Sequence, residues 1–156
     1  MSNRRLSLFT AGYEGLPVKE FIEKLKSASV KVLFDIRYRP QSRKIGFSKN
    51  SLAAECEKAG IRYLHDANLG TPPDQMQAMK AAGEYTPQIF DRYRRFLLKQ
   101  TESLAQAVEI AEADPTCLVC YEADYRTCHR KVVAEEIERR SKLTVSHLAL
   151  YAEAAK

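Results

Sequence analysis

Short apolar runs that alternate with helical patterns predict an α/β chain: a single-domain three-layer Rossmann-like sandwich around a mostly parallel sheet of about five strands. Two further observations support that class. The 156 residues contain no internal repeat and no low-complexity linker, so residues 1–156 read as one domain. Polar residues also recur where the apolar runs end, as they do where an open parallel sheet presents its strand C-termini to a ligand.

The elements follow in order. "LSLFTAG" reads as the first strand. Pro17 then opens a helix with Val18, Phe21, Ile22 and Leu25 at the i, i+3, i+4, i+7 spacing of one buried face. "VKVLFDI" is a second buried strand. Ser48 or Ser51 can cap a helix carrying Leu52, Cys56 and Ala59, which Gly60 closes. "IRYLH" is the third strand. Residues 66–86 show no clear period, and a loop of that length in a compact domain is functional, mobile, or hides a short helix. Thr86 and Pro87 open a long helical stretch, with a break expected near Thr101. "TCLVCYE" is the fourth strand, "CHRKVVAEEIERR" a helix, and "LTVSHLAL" a fifth strand or the start of a last helix.

Composition restricts the function classes. A hydrophobic fraction of 45% with 29% charged residues is ordinary for a globular protein. No apolar run approaches the roughly 20 residues that span a bilayer, so no membrane is expected as a partner. The start "MSNRRLSLFTAGYEG" suits a first strand better than a signal peptide. Four cysteines are too few for a disulfide scaffold, so reduced thiols and a cytoplasmic location are expected. The net charge of +5 equals that of Lys31 to Lys49 alone, where six basic residues face Asp35. Such a stripe, with Tyr38 and Phe47 interleaved, attracts phosphate-bearing partners, or is simply a solvated basic loop.

"CYEADYRTCHR", Cys120 to Arg130, concentrates the chemistry. Cys117 and Cys120 form a C-x-x-C, but on a strand positions i and i+3 face opposite sides and cannot share one ion. No metal is therefore assigned, and a set from Cys120, Cys128 and His129 is the alternative left. Cys120-x5-Arg126 has the spacing of a cysteine phosphatase or sulfurtransferase loop, yet it lacks glycine and carries Glu122 and Asp124, which repel phosphate. Cys128 is better placed as a nucleophile: with Thr127 as cap it lies in the first turn of the next helix, where the dipole and Arg130 favour a thiolate. The simpler reading is a small helix-start residue. His129 falls roughly 30° from the apolar direction set by Val132, Val133 and Ile137, so it points toward the sheet. A structural role fits it at least as well as a catalytic one.

The carboxylates Asp35 and Glu122 each end an apolar run. Buried acids need partners, and Arg37 and Arg130 are the natural ones. Two acids and two arginines in one crevice suit acid/base chemistry on an anion, and equally a structural ion-pair network.

Together these stretches resemble a family: the bacterial and archaeal domains of unknown function numbered 488. The resemblance runs from about Phe9 to His147. It rests on "TAGYEG", "DIRYRPQSRKIGFSK", "AGIRYLHDANLG" and "CYEADYRTCHR". The family's C-x-E-x5-C-H-R pattern fits at Cys120, Glu122, Cys128, His129 and Arg130. Its D-[VI]-R and P-x-S-R patterns fit at Asp35, Arg37, Pro40, Ser42 and Arg43. Ala11 stands where the family often has Ile. The resemblance implies one constellation of Asp35, Arg37, Arg43, Cys120, Glu122, Cys128, His129 and Arg130, without Arg126, and it implies no activity.

The expected function is a hydrolase-like or transferase-like enzyme acting on an anionic partner, a nucleotide or nucleic acid. Asp35, Glu122 and Cys128 are its candidate catalytic residues. Arg37, Arg43, Arg130 and Tyr13 are assigned to the anion, with Cys120, His129, Ser42 and Gly12 in support. No cofactor is named by the sequence. The alternatives are a non-catalytic nucleic-acid-binding module, centred on Lys31 to Lys49 and the 66–86 loop, and a cysteine-based sulfur-transfer or redox protein.

Overall fold

The computed structural model describes residues 7–122 and 124–148. Its sheet has five strands: β1 (Ser7–Gly12), β2 (Val32–Asp35), β3 (Arg62–His65), β4 (Thr116–Cys120) and β5 (Thr144–His147). Their spatial order is β3-β2-β4-β1-β5, and every ladder is parallel. The strand reading of "LTVSHLAL" is thus the correct alternative for Thr144–His147, while Ala149 and Leu150 lie outside the described residues.

Of the six helices among the described residues, five cover the two faces. α1 (Val18–Ser27) and α2 (Lys49–Lys58) bury Phe21, Ile22, Leu25, Leu52 and Cys56 against Ala11, Leu33, Cys117 and Val119. On the other face α4 (Pro87–Leu98), α5 (Thr101–Ala113) and α6 (Arg130–Arg139) bury Tyr93, Leu97, Leu104, Val133 and Ile137 against Leu8, Phe34 and Leu118. Strand alternation thus sends Cys117 and Leu118 to opposite cores, as a sheet buried on both sides requires. The chain leaves β1 and β2 for the first face and β3 and β4 for the second. Since β4 lies between β1 and β2, neighbouring strands part in opposite directions and open a crevice at their C-terminal ends.

Local sequence explains some of the boundaries. Thr86 accepts a hydrogen bond from Ile89 N at 3.2 Å, and Pro87 occupies the first helical turn of α4. Gly60, at φ +75°, follows the end of α2. Ser48 stands at the N-cap of α2, but its hydroxyl donates to Ser42 O at 3.1 Å instead of capping the helix. The 66–86 segment does hide a helix, α3 (Pro73–Ala82), preceded by a 3-10 turn at Ala67–Leu69.

One helix start differs from expectation. α6 begins at Arg130 with His129 at its N-cap, not at Thr127. Thr127 closes a 3-10 turn (Tyr125–Thr127) and its hydroxyl donates to Asp124 O at 2.9 Å. Cys128 therefore precedes the helix and lies outside its first turn.

Candidate functional site

The strand register brings the polar ends together. Gly12 stands opposite Cys120, and Asp35 stands opposite both Val119 and His65. Over this edge lies a cleft of about 740 Å³, whose lining includes Tyr13, Arg37, Tyr38, Arg39, Ser42, Met76, Lys80, Cys120, Tyr121, Glu122 and His129.

Asp35 and Arg37 form its floor as a closed unit. Arg37 Nε donates to Asp35 Oδ1 at 2.8 Å and Nη2 to Oδ2 at 2.6 Å, while the Arg37 backbone N–H also reaches Oδ1. The Tyr63 hydroxyl donates to Oδ2. Arg37 Nη1 donates to Phe47 O at 2.7 Å and to the Tyr13 hydroxyl at 3.1 Å. Asp35 is fully buried and Arg37 is 7% exposed. Burial by itself would lower the Arg37 pKa, but the hydrogen bonds and charge of Asp35 hold it above its ordinary value. Burial, then the Asp35 charge and hydrogen bond, raises that of Tyr63. This geometry is that of the ion-pair network, and it occupies both oxygens of Asp35.

Two histidines pin the chain as it leaves β2. His65 Nε2 is 2.8 Å from Arg37 O, and His129 Nε2 is 3.0 Å from Ile36 O. A carbonyl only accepts, so both Nε2 atoms carry the proton. His129 is buried edge-on to Tyr93, with centroids 5.4 Å apart. Burial, with a smaller contribution from Arg130, pushes its pKa down to about 4 against the Ile36 hydrogen bond.

Arg130 is the largest fully buried side chain among the described residues. It donates from Nε to Thr10 Oγ1 at 3.2 Å, and from Nη1 to Cys120 Sγ at 3.2 Å and to Glu122 O. Burial lowers its pKa to about 10. It thus braces the strand ends from beneath the loop after β4. Glu122 lies above, half-buried, with Oε2 3.9 Å from Cys120 Sγ. Burial raises its pKa, although its own backbone N–H and Arg130 oppose the shift.

The sulfurs correct one expectation. Cys120 and Cys128 are joined, whereas reduced thiols were expected throughout; Cys56 and Cys117 are free and buried. Burial pushes the Cys56 thiol up to about 12 and raises that of Cys117. Cys128 is fully buried, with its sulfur 3.8 Å from His129 Nδ1.

Tyr13 stacks on Phe47 with centroids 4.2 Å apart and meets Tyr121 edge-on at 5.4 Å. Ser42 also lines the cleft, but Arg43 is exposed on the neighbouring loop and outside that lining. Sequence reasoning singled out neither Tyr63 nor Tyr121, and took in Arg39 and Lys80 only as parts of the Lys31–Lys49 stripe and the 66–86 loop. The basic stripe was a signal for Arg39. Lys80 carried no individual signal, because it sits on the helix hidden in the 66–86 segment.

The family described as domain of unknown function DUF488 matches residues 17–137, more than half of the chain and all of the strand ends from Asp35 to Arg130. The chain belongs to the DUF488 family. No curated protein and no solved structure matches it. In this DUF488 domain no helix among the described residues is long and apolar enough to cross a membrane.

Proposed function

We propose that this DUF488 domain is an enzyme that binds a phosphate-bearing substrate with an aromatic base, a nucleotide or nucleic acid, and performs hydrolytic or transfer chemistry on it. One observation carries the reading: a single cleft at the strand C-termini combines Tyr13, Tyr38 and Tyr121 with the cations Arg37, Arg39 and Lys80 and the carboxylate of Glu122. Aromatic faces accept a base, and cations accept its phosphate.

Roles within the cleft follow from the contacts. Arg37 spends its donors on Asp35, Tyr13 and Phe47, so Arg39 and Lys80, both exposed, are the cations assigned to the anion. Arg130 and Asp35 are buried supports. Glu122 is the carboxylate assigned to the reacting group, because Asp35 is engaged by Arg37 and Tyr63. A second hollow beside Tyr38 and Arg39, lined also by Lys49, Ser51 and His65, extends the basic surface toward a longer strand.

The test is a thermal-shift screen with mononucleotides, sugar phosphates and short oligonucleotides on wild type and Arg39→Ala. A ligand at a hundred times its Kd stabilises by about 2.7 kcal/mol, a visible shift. A mononucleotide that shifts wild type and not Arg39→Ala is the expected result, followed by turnover that Glu122→Gln abolishes without loss of binding. Shifts by oligonucleotides alone, with steep salt dependence, would replace the enzyme by a binding module. Silence of the whole panel would sink the reading.

A further inference from the structure

The wall of the cleft formed by Cys120 and His129 has chemistry that the substrate reading does not use. Cys120 Sγ, Cys128 Sγ and a ring nitrogen of His129 lie within 4.8 Å of one another, and all three residues are buried. We infer that Cys120, Cys128 and His129 Nδ1, with the cysteines reduced, form a binding site for one thiophilic divalent cation of the zinc class.

Three features of the geometry support this. The first is the state of His129. Its Nε2–H is committed to the Ile36 carbonyl at 3.0 Å, so the Nδ1 lone pair is the free one, and it faces Cys128 Sγ at 3.8 Å. A ring whose far N–H is fixed on a backbone carbonyl is the arrangement that orients ligand histidines. Around a tetrahedral zinc with Zn–S near 2.3 Å and Zn–N near 2.0–2.1 Å, neighbouring donors stand roughly 3.5–3.8 Å apart; Cys128 Sγ and His129 Nδ1 have that spacing, and the joined sulfurs of Cys120 and Cys128 reach it only once they part.

The second is the backbone. The Cα atoms of Cys120 and Cys128 are 7.7 Å apart, beyond the roughly 4.4–6.8 Å usual for a disulfide. Two side chains at that separation can meet on an ion placed between them. The third is Arg130, whose Nη1 is 3.2 Å from Cys120 Sγ. That contact holds the Cys120 sulfur in place at the wall of the cleft, facing the other two donors.

Cys120 and His129 also line the cleft, so three protein donors would leave the fourth position on the cleft side. That is the pattern of zinc sites that keep a place for water or substrate. Glu122 Oε2, 3.9 Å from Cys120 Sγ, stands next to that position. Loading requires a reductant. A dithiol opens the Cys120–Cys128 bond by two electrons and leaves as its cyclic disulfide; each cysteine thiol then gives up its proton as the cation binds. The inference does not depend on the phosphate-substrate reading.

The probes are Zn2+ and Co2+ added to the full chain after treatment with a dithiol, under exclusion of oxygen. Wild type is expected to take one cation per chain, with the thiolate-to-cobalt absorption that only sulfur ligation gives. Cys120→Ser and Cys128→Ser should each lose that band, whereas Cys56→Ser and Cys117→Ser keep it. His129→Gln retains a donor for Ile36 O and should bind the cation more weakly while remaining folded. If a serine variant fails to fold, carboxymethylation of Cys120 in the folded wild type serves in its place and should abolish uptake. A folded, reduced wild type that takes up no cation would overturn the inference. So would a Co2+ spectrum unchanged by the Cys120 variant, or a sulfur pair that persists under the dithiol.

Discussion

Arg37 grips Asp35 through two parallel hydrogen bonds, Nε to Oδ1 at 2.8 Å and Nη2 to Oδ2 at 2.6 Å, at the point where β2 gives way to the loop under the cleft. The pair is two residues apart in sequence and almost fully removed from solvent. Removing one partner of a buried pair leaves the other charge uncompensated, at a cost of about 3–5 kcal/mol. Arg37→Ala should therefore destabilise the domain by that order in chemical denaturation. Arg37→Lys should recover little of it, because an ammonium cannot reproduce the planar fork on Asp35 or reach Tyr13 and Phe47 together. A loss below about 1 kcal/mol for Arg37→Ala would mean that the pair is worth no more than a surface one.

Gly70 closes the turn after β3 against the same loop. A Cβ there would lie 2.6 Å from Tyr38 Cα and 2.9 Å from Arg37 C, both backbone atoms. Gly70→Ala must then push apart the segments that carry Tyr38 and Thr71 into the cleft wall. Gly83 provides the contrast: its Cβ would meet nothing within 4 Å, and its φ of +80° is the sole obstacle. Gly83→Ala should cost about 1 kcal/mol, the ordinary penalty for that conformation. Gly70→Ala should cost more and should also weaken ligand binding. Denaturation of the two variants side by side checks both halves of the statement.

The contrast between these residues shows what could be read from the sequence. The parallel sheet was legible because buried strands and amphipathic helices carry distinct periods, and Thr86-Pro87 states a helix start outright. α3 was not, since Gln75 is its buried residue while Met76 and Met79 face the cleft, so no apolar stripe marks it. The start of α6 was misplaced because a threonine before a helix looks like a cap whether its hydroxyl turns to the helix or, as here, back to Asp124. The strand-end residues were found from polarity alone. Their division of labour was not: only packing shows that Tyr63 crosses from β3 to Asp35, or that Arg43 stays outside while Arg39 lines the cleft.

The buried Arg130 is linked to the sheet edge through Thr10, whose hydroxyl accepts from Arg130 Nε and lies 2.5 Å from His147 Nδ1. The Thr10 hydroxyl thus joins the arginine to the His147 ring, as donor or acceptor according to the His147 tautomer. Burial, and then the charge of Arg130, lowers the His147 pKa to about 4; Glu135 and Glu138 oppose the shift and Lys131 adds to it. The ordinary value is about 6.5. Between those two values the unfolded chain binds a proton that the folded one refuses. The contribution is therefore complete above about pH 6.5 and declines as pH falls toward 4. Wild type should lose stability across that window more steeply than His147→Gln. Parallel curves for the two proteins would disprove the linkage.

Tyr121 offers the cleanest separation of binding from folding. It follows β4, meets Tyr13 edge-on, and is 48% exposed in the cleft wall. An exposed ring of this kind adds little to the core, so Tyr121→Ala should leave the melting temperature nearly unchanged. Base–aromatic stacking is worth about 1–3 kcal/mol per base, so the same change should weaken a bound nucleotide by roughly 5- to 150-fold. A sugar phosphate, which has no base to stack, should bind wild type and variant alike. Arg39→Ala should do the reverse, weakening every phosphate compound together. Calorimetric titration of one nucleotide and one sugar phosphate against both variants yields four affinities. If Tyr121→Ala weakened the two ligands equally, the ring would be holding the cleft in shape rather than stacking on a base.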